Sequence, residues 1–129
     1  VGKTGRFKVA VGAKPGVNWY SCVIYADSAG FVYKYVGGKK AWEDPESYLK
    51  RSLRTYVGNV STPTMLFTGE EDFGTPSAES EKLYAALKSE GVETAMVRIP
   101  GAPHGIASRP SNLMAKVAAI LAWFDQYKE

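Results

Sequence analysis

One cysteine, one histidine and no long apolar run mark this chain of 129 residues. Cys22 stands alone, so no internal disulfide can form. In Ser21-Cys22-Val23-Ile24-Tyr25 it occupies an apolar, strand-like position and reads as a small core residue, since no neighbouring base activates it. A membrane-spanning helix needs about eighteen or more consecutive apolar residues, and no such stretch occurs, so no membrane partner is expected. The first residues, Val1-Gly2-Lys3-Thr4-Gly5-Arg6, carry no apolar signal region and the default location is cytoplasmic. They also lack an initiator methionine, which leaves processing, tag removal and excision from a longer chain open. A net charge of +3 is spread thinly over the sequence. Without a basic stripe or a known module, nucleic acid is not an expected partner. Phosphate loops and metal clusters are missing too, and the acidic turn Glu70-Glu71-Asp72 lacks EF-hand spacing, so no cofactor is expected.

What is present supports a single domain, residues 1–129, with 45% hydrophobic residues and room for one core. Residues 7–11 mix aromatic and β-branched side chains and predict a strand that leaves through the turn-rich Gly12-Ala13-Lys14-Pro15-Gly16. Residues 18–38 are aromatic and irregular, and Gly37-Gly38 closes them. Asp44-Pro45-Glu46 starts a short helix over 45–51, with Asp44 as cap and Pro45 at the first helical position. Residues 64–68 form a buried strand that Gly69 breaks. A helix over Ser77–Ser89 ends at Gly91, and a strand over Thr94–Ile99 stops at Pro100-Gly101. In the last helix, capped by Ser111, the residues Leu113, Met114, Val117, Ile120, Leu121 and Phe124 recur at helical spacing and predict a core face.

Alternating strands and helices predict an α/β fold of about three parallel strands flanked by helices. Chemistry in such sheets collects at the carboxyl ends of the strands. Two candidate groups emerge there. His104 lies in Pro100-Gly101-Ala102-Pro103-His104-Gly105, after the strand ending at Ile99. The acidic turn Thr68-Gly69-Glu70-Glu71-Asp72 follows the preceding strand. An imidazole can take a proton from a hydroxyl and return it to a leaving group. A carboxylate on its other nitrogen holds the tautomer and stabilises the imidazolium. Asp72 suits that second role, with Glu70 and Glu71 as competing carboxylates. The alternative is a surface histidine beside a solvated acidic turn. A nucleophile is not evident: G-x-S-x-G occurs nowhere. Ser28, in Ala26-Asp27-Ser28-Ala29-Gly30, has the right order relative to Asp72 and His104. The residues after Gly30 are too rich in aromatic and β-branched side chains for a strand-to-helix elbow, and Ser28 reads as a loop serine. Ser108 and Ser111 read as turn and cap residues.

Taken in order, several stretches resemble the C-terminal part of the catalytic domain of prolyl oligopeptidase-family serine peptidases, in particular the acylaminoacyl-peptidase-like branch of the α/β-hydrolases. They include Gly5-Arg6-Phe7-Lys8-Val9-Ala10-Val11, Trp42-Glu43-Asp44-Pro45-Glu46-Ser47-Tyr48 and Ser61-Thr62-Pro63-Thr64-Met65-Leu66-Phe67-Thr68-Gly69-Glu70-Glu71-Asp72. Leu83-Tyr84-Ala85-Ala86-Leu87-Lys88, the His104 loop and Ile120-Leu121-Ala122-Trp123-Phe124-Asp125 complete the set. The resemblance covers nearly the whole chain and implies Asp72 and His104 as triad acid and base. It places Ser28 in a loop after the nucleophile, and the serine elbow, oxyanion donors and earlier strands outside this sequence. Phe73-Gly74-Thr75 departs from the family's more polar, valine-containing turn, which bears on how Asp72 is held. The first strand would then lack a neighbour, and an open edge invites another strand. Two outcomes are expected: a homodimer with a six-stranded sheet, or a companion chain that supplies the serine. The chain is accordingly expected to be an acid–base segment of a serine peptidase or esterase, inactive alone. The alternative is a non-catalytic α/β assembly or binding protein derived from a hydrolase.

Overall fold

The computed structural model describes residues 1–35 and 38–128. Three strands, β1 (Ala10–Ala13), β2 (Thr64–Gly69) and β3 (Thr94–Ile99), form one parallel sheet in the order β1-β2-β3. Ala10 stands opposite Thr64, and Leu66 opposite Met96. Every residue of β2 is buried, as its nearly continuous apolar sequence requires of a central strand covered on both faces. Helices α1 (Trp19–Tyr25), α2 (Ala29–Tyr35) and α3 (Pro45–Lys50), with a 3₁₀ segment over Leu53–Asn59, connect β1 to β2. Helix α4 (Ser77–Ser89) connects β2 to β3, and α5 (Pro110–Asp125) follows β3. The expected α/β fold of three parallel strands and flanking helices is therefore present.

The core divides around the sheet. One cluster joins Met65, Phe67, Ile99, Ala102, Ile106 and Trp123. Another joins Val57, Leu87 and Val92, and a third, within the long crossover, packs Val23, Val32, Ala41 and Tyr48. Asp44 caps α3 as expected, accepting from the Ser47 N–H with Pro45 at the first position. Gly91, at φ 74°, turns the chain out of α4 in a conformation that favours glycine.

Local propensity lost to tertiary context in several places. β1 covers Ala10–Ala13 rather than residues 7–11, because pairing starts where Ala10 N–H meets the Pro63 carbonyl. Phe7 is left outside and exposed. Gly12 and Ala13 are strand residues, and the chain turns only at Lys14, whose φ is 54°. Cys22 is buried as expected but sits in a helix. The Asn18 side chain accepts from the Tyr20 N–H and starts α1 against the β-branched bias of the sequence. Gly37 lies outside the described residues.

The largest difference concerns α5. Pro110 occupies its first turn, Arg109 stands at the cap position without a side-chain bond, and Ser111 lies inside the helix rather than capping it. The predicted core stripe is mostly not buried: Leu113, Met114, Val117, Leu121 and Phe124 are exposed, Met114 to 73%. Ala119, Ile120 and Trp123 are the residues that meet the sheet. Trp123 Nε1 donates to the Ala10 carbonyl at 3.1 Å and ties α5 to β1. Periodicity identified an apolar face, but nothing among the described residues covers it.

Candidate active site

Two loops at the carboxyl ends of β2 and β3 are laced together by main chain. Glu70 N–H donates to the Ile99 carbonyl at 3.1 Å, and Glu71 N–H to the Ala102 carbonyl at 3.0 Å. Gly69, the last residue of β2 rather than a breaker beyond it, makes this approach possible: a Cβ there would collide with the carbonyl of Ala102. Ala102 and Ile106 are fully buried on either side of His104 and anchor its loop. Ile106 holds a left-handed φ of 45° to do so.

This lacing brings Asp72 and His104 together. Asp72 is 1% exposed. Its Oδ1 accepts from the N–H groups of Gly74 and Thr75, at 3.0 and 2.8 Å. His104 Nδ1 lies 3.0 Å from Oδ1 and 2.9 Å from Oδ2. A carboxylate can only accept here, so Nδ1 carries the proton and donates. In the neutral ring the basic lone pair is then on Nε2. The His104 side chain is about half exposed. Of the rival carboxylates, Glu70 pairs with Arg98 at 3.3 Å, and Glu71 lines the same cleft as His104, while Asp72 is the carboxylate that meets Nδ1.

The cleft beside His104 has a volume of about 530 Å³, and its walls include Trp19, Phe31, Val32 and Phe73. Those aromatic residues other than Phe73 come from the crossover that sequence patterning left irregular. Ser28 lines the same cleft, in the turn before α2. Its hydroxyl donates weakly to the Gly74 carbonyl, at 3.4 Å. The turn does not follow a strand, so Ser28 is not on a nucleophile elbow. Ser108 lies in a turn, as expected.

A buried ionic network holds the crossover to α4. Glu79 is fully buried, and its Oε2 accepts from the N–H groups of Val17 and Asn18, at 2.9 and 2.7 Å. Its Oε1 accepts from Tyr25 at 2.8 Å, Ser21 at 3.2 Å and Lys82 at 2.6 Å. Burial alone would raise the Glu79 carboxyl above its ordinary range. The Lys82 ammonium, the two backbone N–H groups and the Tyr25 hydroxyl outweigh it, and the net shift is downward. Burial, reinforced by the Glu79 charge, pushes the Cys22 thiol up to about 11. Sequence reasoning missed Glu79, whose only advance signal was Lys82 three residues on. It also missed the contacts of Thr75.

Parallel strands that deliver a buried carboxylate and a histidine from successive carboxyl ends define a partial α/β-hydrolase fold. The full chain, residues 1–129, matches the prolyl oligopeptidase family, and it belongs to that family. It is 36% identical over 98% of its length to the uncharacterized peptidase YuxL of Bacillus subtilis, of which it covers 20%. It is 24% identical over 95% of its length to acylamino-acid-releasing enzyme 1 of Oryza sativa, covering 17% of it. Among solved structures, acylaminoacyl peptidase of Pyrococcus horikoshii superposes with a TM-score of 0.86 and 25% identity. That match covers 96% of this chain and 21% of the other. A puromycin-hydrolyzing peptidase of Mycobacterium tuberculosis shares the fold with a TM-score of 0.84, at 21% identity and covering 98% of this chain and 19% of that one. The chain thus spans about a fifth of the length of these relatives. It corresponds to part of a catalytic domain: the Asp72–His104 pair is present and no G-x-S-x-G motif is.

Proposed function

We propose that Asp72 and His104 are the orienter and base of a serine hydrolase whose nucleophile lies outside these 129 residues, and that the chain alone is inactive. The observation that carries this reading is the Nδ1–carboxylate contact of 2.9 Å inside a carboxylate fixed by two backbone N–H groups. His104 Nε2 would take the proton of an incoming serine as its oxygen attacks an acyl carbon. The imidazolium so formed, stabilised by Asp72, would return that proton to the leaving group. Water would repeat the cycle to release the acid. The apolar cleft walls favour a peptide or small ester with a bulky apolar side chain next to the reacting carbonyl.

The serine-bearing segment has a natural seat. β1 pairs only with β2, so its other edge is open among the described residues. The N–H groups of Ala10 and Lys14 point to β2, and by strand alternation those of Val11 and Ala13 face that edge. An apolar groove beside β1, with Val11, Leu53, Tyr56 and Leu83 among its walls, and the bare stripe of α5 extend the same incomplete surface. A neighbouring strand with helices on both sides fits these features together. Pairing of β1 with a second copy is the competing occupant, and a dimer in ultracentrifugation would reveal it.

The test mixes this chain with the remainder of YuxL, the sequence outside the shared stretch. Hydrolysis of an aromatic amino-acid ester is expected in the mixture, with neither component active alone, and its loss is expected with His104→Gln. Equal activity with and without the chain, or with the variant, would refute the proposal.

A further inference from the structure

The turn after Asp72 holds a hydroxyl for which the acid–base chemistry described above has no use. Thr75 Oγ1 lies 3.2 Å from Asp72 Oδ2, 3.3 Å from His104 Nδ1 and 3.3 Å from the carbonyl of Lys14. One side chain therefore touches the acid, the base and the end of the edge strand. We propose that Thr75 is a positioning residue of the pair, its hydroxyl fastening Asp72 and His104 to the exit of β1.

The two carboxylate oxygens of Asp72 are held differently. Oδ1 is fixed by two backbone donors, at 2.8 and 3.0 Å. Besides the imidazole, the donor to Oδ2 is Thr75. When the imidazole moves during proton transfer, that hydroxyl is the donor that stays on Oδ2 among the described residues. The hydroxyl has one proton, and the charged carboxylate is a stronger acceptor than the Lys14 carbonyl. Donation to Oδ2 is accordingly the main state, with Lys14 as the second acceptor. The backbone at Lys14 is shaped for this contact. Its N–H still pairs with the Phe67 carbonyl at 2.8 Å, and its φ of 54° is one a lysine adopts at an energetic cost. A strained residue at the end of a strand, with its carbonyl on a hydroxyl of the candidate site, is the kind of outlier that points to a role.

The meaning of the pair rests on the hydrolase reading, but the contact does not. His104 is the only histidine, so its ring signals in nuclear magnetic resonance are unambiguous in the chain alone. Thr75→Val keeps the volume and removes the hydroxyl; Thr75→Ser restores the hydroxyl without the methyl. In the unmodified chain the His104 Nδ1–H should be protected from exchange. Thr75→Val should exchange that proton roughly fivefold faster or more, as expected from loss of one hydrogen bond. Thr75→Ser should stay near the unmodified rate, and backbone amide protection in β2 should be alike in all three. An unchanged rate in Thr75→Val, or a Thr75→Ser that behaves like valine, overturns the proposal. Should the valine variant not fold, the unmodified chain decides. A slowly exchanging Thr75 hydroxyl proton in contact with the His104 ring supports the bond, and a hydroxyl in fast exchange with water overturns it. Failure of the YuxL mixture to hydrolyse ester, with these signals as expected, would count against the hydrolase reading and leave the Thr75 assignment standing.

Discussion

Replacing Glu79 tests how the site is supported from behind. Its buried carboxylate fixes the Val17 and Asn18 N–H groups at the start of α1, and α1 carries Trp19 into the cleft. Glu79→Ala removes the acceptor from both N–H groups and opens a hole in the interface with α4. Breaking a buried pair can cost about 3–5 kcal/mol, but Lys82 is 43% exposed and rehydrates, so a loss of about 2–4 kcal/mol is expected. Glu79→Gln keeps one acceptor oxygen for the backbone and returns an amide to Lys82 and Tyr25. Its expected cost is about 1–2 kcal/mol. The sign of the pH dependence comes from the downward shift of the Glu79 carboxyl. A group whose carboxyl is depressed by folding stabilises fully above its ordinary value, here 4.5, and that stability is lost as pH falls through the lower folded value. Urea unfolding near neutral pH should therefore rank the unmodified chain above glutamine and glutamine above alanine. As pH is lowered below 4.5, the gap between glutamate and glutamine should narrow. A glutamine variant as stable as the unmodified chain at neutral pH, or a gap that widens in acid, would refute the reasoning.

Asp72→Asn should present an amide to His104 Nδ1, move the neutral ring's proton to Nε2 and lower turnover of the reconstituted enzyme by roughly 10⁴-fold; nitrogen chemical shifts of the lone histidine and ester kinetics check both. Cys22, buried and with its thiol pushed up to about 11, should resist a thiol reagent at mildly alkaline pH until the chain is denatured, when one equivalent should react. Met114→Lys and Leu121→Glu change exposed positions on α5. Each should alter stability of the chain alone by less than about 0.5 kcal/mol. Both should weaken assembly with the serine-bearing portion, as titration of ester activity would show.

The parts of the fold announced by punctuation were legible in the sequence. Asp44-Pro45 started α3, Gly91 ended α4 and Gly101, at φ 60°, marked the turn after β3, because each does a conformational job that few other residues do. The buried run of β2 was legible for the same reason that it is central: both its faces are covered. From those landmarks the meeting of Asp72 and His104 followed, since parallel strands deliver their exits to one rim. The helices around Cys22 and Phe31 were not legible, because a cap at Asn18 and contacts distant in sequence decide them. The 3.6-residue rhythm of α5 showed an apolar face but carried no information on whether anything covers it. Burial of Glu79 and the contact of Thr75 with Lys14 depend on atoms supplied by segments about sixty residues away, which no local pattern reports.

Labelling with a fluorophosphonate, read by intact mass, tests most directly whether this chain is the acid–base part of a divided machine. No adduct is expected on the chain alone. When it is mixed with the remainder of YuxL, one adduct should form, on the YuxL portion, at a rate that collapses with His104→Gln. An adduct on the isolated chain, at Ser28 or any other serine, or labelling of the YuxL portion at the same rate without His104, would contradict the account.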